Sequence, residues 1–213
     1  MDTKEKILIT ALRQFNALGT DAVTVRSIAQ EAGISHGNLC YHFPNTDAII
    51  VALYQRVVAE MDEQANRALH LLPEVGLMLG IGEIGFHILY RYKFLMLDLV
   101  RITRRIPLIQ EAYRSLMQLR RQQFTQLFGA MADQGWLLPE PFTGFYEHFA
   151  AHQLVFAHGW IAHAEIHFSG PPEAVVPYYY KSFVAGLLPL LTEQGRAVYA
   201  QILHSEPINH HFE

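Results

Sequence analysis

The sequence is poor in cysteine, in charge and in long apolar runs. Of its 213 residues one is a cysteine, Cys40. A single thiol cannot close an intrachain disulfide, and it leaves a cysteine-based zinc site short of ligands. Charged residues make up 17% and hydrophobic residues 51%, a balance that supports a packed core and excludes a disordered chain. The formal net charge of −4 gives no overall basic footprint, although a local face can depart from an average. No stretch reaches the roughly 18 apolar residues of a membrane span. The longest charge-free stretch, His148 to Ala164, is interrupted by His, Gln and Gly. The N-terminal "MDTKEKILITALRQF" scatters charges among its apolar positions, unlike the apolar centre of a signal peptide. A cytoplasmic protein without a membrane segment is expected.

Catalytic signatures are missing too. There is no HExxH, Glu-x-x-His, GxSxG, Walker loop or dinucleotide Gly-rich loop. His148 and His152 are four residues apart, as are His163 and His167, so each pair shares a helix face. Neither pair has a third ligand at helical spacing. No metal, no cofactor and no enzymatic activity are expected, and these histidines read as polar spots on a helix.

What is present is helical periodicity from end to end, with strand-like alternation nearly absent, so the fold class is all-α. Asp2 and Glu5 have capping-box spacing at the first helix. Leu8, Ala11, Leu12, Phe15 and Leu18 follow on one face, and Gly19 stops it. Thr24 caps a short second helix, Gly33 breaks it, Ser35 caps a third and Pro44 ends that one. Asn45 or Thr46 caps a long fourth helix reaching about Leu72. Ile84 to Ile106 reads as one helix, apolar on most of its circumference and therefore buried. A long amphipathic helix follows Pro107 and ends at Gly135; two more cover about 142–168 and 172–192, and a short one runs near 196–204. The expected division is a head over 1–47, a helical body over 48–205 and a loose tail over 206–213.

Within the head, two short helices joined by Gly33-Ile34-Ser35 make a helix-turn-helix pattern. Gly33 supplies the sharp turn, Ile28 and Ile34 bury beneath it, and Ser35, His36, Gly37 and Asn38 are small or polar enough to enter a major groove. The run from Thr24 to Leu39, "TVRSIAQEAGISHGNL", with the following "YHFPN", strongly resembles the DNA-binding region of the TetR family of ligand-responsive transcriptional repressors. That resemblance covers roughly the first 60 residues. It implies an all-helical homodimer that binds an inverted-repeat operator in double-stranded DNA, and whose larger domain takes a small-molecule effector. By the same resemblance Thr24, Arg26, Ser35, His36, Gly37, Asn38, Tyr41, His42 and Thr46 are the DNA positions. Their chemistry suits the task. Arg26 can pair with guanine or phosphate, Asn38 with adenine, and Tyr41 and His42 can donate to phosphate. Two positions depart from the family pattern: Cys40 stands where an aromatic is usual, and Thr46 where a lysine is usual. Residues 1–47 hold four Lys or Arg against five Asp or Glu. The alternative reading is therefore a helical ligand-binding or adaptor protein with weak DNA affinity.

The body is rich in aromatics. A pocket between its helices would draw on Phe86, His87, Tyr90, Phe94, Asp98 and Tyr113 and would suit an apolar or aromatic ligand. Dimerisation is expected through the two late helices in a four-helix interface, with Phe145, Phe149, Phe156, Trp160, Gly186 and Leu187 as its residues.

Overall fold

A computed structural model describes residues 2–70 and 75–204. The expected loose tail, and the end of the fourth helix near Leu72, lie outside the described residues. Among the described residues the chain is helical without a strand. In chain order the helices are α1 (Thr3–Leu18), α2 (Val25–Glu31), α3 (His36–His42), α4 (Thr46–His70), α5 (Val75–Arg91), α6 (Lys93–Leu97), α7 (Leu99–Arg105), α8 (Pro107–Asp133), α9 (Phe145–His167), α10 (Val175–Ala185) and α11 (Glu193–His204). No described helix is long and apolar enough to cross a membrane.

Contacts divide the chain into two compact units. The first comprises Met1–Asp62 and Ile88–Tyr113, the second Glu63–His87 and Arg114–Glu213. The three head helices thus share a unit with the first part of α4 and with α6 and α7.

Local chemistry explains the starts of α2, α3 and α4. Thr24 accepts from the Ser27 amide at 3.1 Å, while the Ser27 hydroxyl accepts from the Thr24 amide at 3.1 Å, a reciprocal capping box. The Ser35 hydroxyl accepts from the Asn38 amide at 3.1 Å, and Asn45 Oδ1 accepts from the Ala48 amide at 2.9 Å at the start of α4. The first helix corrects one expectation. Asp2 makes no side-chain cap there, and Glu5 instead holds the Arg56 guanidinium at 2.8 and 3.0 Å.

The core of the first unit consists of Ile7, Ala11 and Phe15 from α1, Ile28 and Ala29 from α2, Leu39 from α3, Ile49, Ile50 and Leu53 from α4, and Phe94, Leu95 and Ile102 from α6 and α7. Each large member contributes about 1.5–3 kcal/mol by burial. Phe15 and Phe94 stack at 5.0 Å between ring centroids. Glu60 gathers a polar network on the same unit, accepting from the Tyr92 hydroxyl at 2.6 Å and pairing with Arg91 at 3.1 Å. Burial and this carboxylate raise the Tyr92 phenol far above its ordinary value.

Ile84 to Ile106 is not one helix. It breaks at Tyr92 and again at Asp98 into α5, α6 and α7. Tertiary partners explain both breaks. The Phe94 amide donates to Asn16 Oδ1 at 3.1 Å, while Asn16 Nδ2 donates to the Arg91 carbonyl at 2.8 Å. Asp98 accepts from Thr20 twice. At the first break, backbone groups that a continuous helix would have paired internally are satisfied by Asn16 of α1; at the second, the Asp98 side chain is held by the loop behind α1.

In the second unit α9 and α10 pack against each other. Trp160 lies between Phe86 and Tyr179, with centroids at 5.3 and 5.2 Å. Phe86 also meets Tyr180 and Phe183. A glycine at position 82 makes room for this cluster, because a Cβ there would stand 2.9 Å from the Tyr180 hydroxyl oxygen. The late stretch expected as one helix over 172–192 is α10 flanked by 3-10 turns at Pro172–Ala174 and Leu188–Leu190.

Candidate nucleic-acid interface

Packing in the head leaves one face of α3 outward. Leu39 is fully buried, with Phe43 behind it. Ser35, His36, Gly37, Asn38 and Tyr41 are all exposed; Tyr41 at 85% is the most exposed of the large apolar residues in the described chain. His42 is half-buried and meets Tyr41 edge-on at 5.3 Å. Thr24 and Arg26 are exposed at the start of α2, and Thr46 is half-buried at the start of α4. The nine sequence-derived positions thus lie on three adjacent segments of one unit.

The turn that aims α3 is tightly specified. Gly33 adopts φ +63°, a left-handed conformation that any other residue holds only under strain. Its amide donates to the Gln30 carbonyl at 3.2 Å, and the Ile34 amide reaches the Ala29 carbonyl at 3.0 Å. From α1, Gln14 Nε2 donates to the Ser27 carbonyl at 3.2 Å, and the Ser27 hydroxyl donates to Gln14 Oε1 at 2.8 Å. Arg13 and Gln14 both bind Glu31. The second helix is therefore fixed to the first, and α3 inherits its direction through the glycine turn.

Cys40, half-buried, lies one turn from His36 with its sulfur 3.6 Å from the imidazole Nε2. A small thiol at this position leaves the His36 ring resting on it.

Three interactions that the sequence pattern did not reveal tie α7 and the preceding residue to the head. Asp98 accepts from Thr20; Arg101 pairs with Asp21; Arg105 pairs with Asp47 at 3.0 Å and approaches Asp21 at 3.8 Å. These partners are more than fifty residues apart in the sequence, and no local motif could have joined them.

The six ligand candidates do not gather within one unit. Phe86 is buried in the aromatic cluster of the second unit, where His87 is exposed. Phe94 is buried under α1 in the first unit, Asp98 is taken up by Thr20, and Tyr90 lies with the Lys93 ammonium 5.6 Å from its ring. Tyr113 is half-buried, and its phenol is raised by burial. Of the six dimer candidates, Trp160 and Leu187 are buried within the single chain, while Phe145, Phe149, Phe156 and Gly186 are half-exposed.

A helix-turn-helix whose second helix turns a polar face outward, on a chain that is helical among its described residues, is the architecture of a DNA-binding transcriptional regulator. The chain belongs to the TetR family: a family model described as "Bacterial regulatory proteins, tetR family" matches residues 7–53, and a second, described as "Bacterial transcriptional repressor", matches residues 54–199. Solved structures agree in fold. A TetR-family transcriptional regulator from Marinobacter aquaeolei VT8 superposes with a TM-score of 0.79 at 23% identity, covering 95% of this chain and 98% of that one. SmeT in complex with triclosan gives 0.65 at 17% identity, covering 90% and 92%. A putative regulator from Saccharomonospora viridis in complex with choline gives 0.69 at 19% identity, covering 89% and 98%.

Proposed function

We propose that this chain works in the cytoplasm as a homodimeric repressor, reading an inverted-repeat operator through α3 of each copy and releasing it when a small apolar or aromatic molecule enters the helical body. The observation that carries the DNA half is the division of α3 between buried Leu39 and the exposed row Ser35, His36, Gly37, Asn38 and Tyr41. His36 and Asn38 face base edges; Thr24, Arg26, Tyr41, His42 and Thr46 meet the backbone. A two-fold dimer matches the symmetry of an inverted repeat.

Support for the dimer comes from the outer face of α9. His148, His152, Val155, Gly159, Ala162 and Ile166 are exposed at alternating spacings of three and four. Val155 and Ile166 are 74% and 76% exposed, and Gly159 and Ala162 allow close approach. With α10 this face pairs with its copy in a four-helix interface, Phe145, Phe149, Phe156 and Gly186 lying at its margins. The effector reading is supported by the aromatic surroundings of Phe86 in the second unit and by a relative of this fold in complex with triclosan; another is in complex with choline, a cation that aromatic faces also attract. Binding weakens DNA affinity only in so far as the ligand favours the head spacing that misfits the operator. The experiment is a gel-shift with the DNA flanking the coding region, repeated across a panel of aromatic and apolar compounds. A retarded band abolished by one compound is expected; a chain that shifts no flanking fragment contradicts the reading.

A further inference from the structure

We infer that Arg101 and Arg105 are electrostatic positioning residues for DNA binding: they neutralise Asp21 and Asp47, the two carboxylates that flank the DNA-reading face. The inference rests on the proposed placement of DNA at Thr24 to Thr46 and adds residues from outside the helix-turn-helix. Asp47 directly follows Thr46, and Asp21 lies three residues before Thr24. Thr24 and Thr46 are the positions proposed to meet the phosphate backbone. A free carboxylate within about 10 Å of a phosphate repels it, since that is the screening length at 0.1 M salt. The head alone is acidic, four Lys or Arg against five Asp or Glu over residues 1–47. The unit it belongs to, Met1–Asp62 with Ile88–Tyr113, holds ten against nine. The balance turns on the cations of the later segment, and among these Arg101 and Arg105 reach the two carboxylates at the DNA flank.

The geometry is a bridge. Arg105 extends one guanidinium nitrogen to Asp47 at 3.0 Å and another toward Asp21 at 3.8 Å, while Arg101 pairs with Asp21 from one turn earlier. Arg104, beside them, is exposed. The side chains of Arg101 and Arg105 are 55% and 33% exposed, so their pairing contributes little to folding. The pairing bears instead on the field at the DNA face. Because α7 follows directly on Asp98, which grips Thr20, any displacement of α7 from the head unmasks two negative charges in each half of the dimer.

Charge neutralisation with rescue tests this. Operator affinity is measured against salt for wild type, R101A/R105A, D21N/D47N and the quadruple variant, with Asn38→Ala as the control for the DNA face itself. The double arginine variant should bind roughly ten-fold more weakly at low salt, with a shallower salt dependence, because screening relieves the new repulsion. The double asparagine variant should bind more tightly, with a steeper dependence. The quadruple variant should return to wild-type affinity and slope. A quadruple variant as weak as R101A/R105A would overturn the inference, because the arginines would then contact phosphate themselves or serve only folding. Unchanged binding by R101A/R105A would also overturn it. If R101A/R105A fails to fold, D21N/D47N alone decides: tighter binding upholds the inference, and unchanged or weaker binding overturns it. Failure of Asn38→Ala to alter operator affinity would instead remove the underlying placement of DNA.

Discussion

Asp98 holds Thr20 by two hydrogen bonds, from the backbone amide at 2.9 Å and from the hydroxyl at 2.8 Å. One carboxylate thereby fixes the loop between α1 and α2 to the break between α6 and α7. Hydrogen bonds to a charged acceptor contribute about 1.5–3 kcal/mol each when the geometry is good. Asp98→Ala should lower the thermal midpoint by several degrees and weaken operator binding, while Asp98→Asn should do both to a smaller extent. Differential scanning calorimetry and a binding isotherm read the two effects separately.

Gly33 is the next position at which the head is vulnerable. A side chain at φ +63° is strained, at a cost of about 1 kcal/mol. The nearest atom to an added Cβ is the Lys6 Nζ at 3.9 Å, so crowding adds nothing. Gly33→Ala should therefore destabilise the protein by about 1 kcal/mol in urea titration. Gly33→Val, β-branched and worse in this conformation, should cost more.

Substitutions on α9 should separate folding from association. Trp160 is 2% exposed within the single chain, between Phe86 and Tyr179. Trp160→Arg buries an unpaired charge and should destabilise the fold by more than about 3 kcal/mol. Val155, 74% exposed, can accept arginine without disturbing the chain. Val155→Arg should sediment as a monomer with near wild-type circular dichroism. A Val155→Arg protein that remains dimeric would move the interface off this face.

His158 should leave a signature in the acid limb of stability. Burial lowers its pKa below the ordinary 6.5, against the opposing effect of its 2.7 Å contact with the Leu154 carbonyl. The unfolded chain then binds a proton at a pH where the folded chain does not. Stability contributed by the neutral imidazole is full above about pH 6.5 and falls as the pH drops toward the folded value. His158→Gln should lose this component, so the difference in midpoint between wild type and variant should shrink between pH 7.5 and 5.5. A constant difference would show that His158 titrates normally.

The head was legible because its signals are local. Thr24, Gly33, Ser35 and Asn45 act on residues within four positions of themselves, and each does in the structure what its type and spacing suggest. The division of α3 followed in the same way from Leu39 and its polar neighbours. Long-range partners were illegible. Glu5 matched a capping box, yet its partner is Arg56, 51 residues away. The run from Ile84 to Ile106 looked continuous because its breaks are set by Asn16 and Thr20, 78 residues from Phe94 and Asp98. The apolar residues of α9 could not be divided by periodicity alone, since Trp160 and Val155 are both apolar and only packing tells inward from outward.

The most direct measurement is the affinity of wild type and Asn38→Ala for the operator and for an unrelated duplex of equal length, at one fixed salt concentration. If the exposed face of α3 reads bases, Asn38→Ala should cost about 1–3 kcal/mol on the operator and almost nothing on the unrelated duplex, and its preference should relax at one base pair in each half-site. Equal losses on both duplexes, or no loss on either, would contradict a base-reading role for α3.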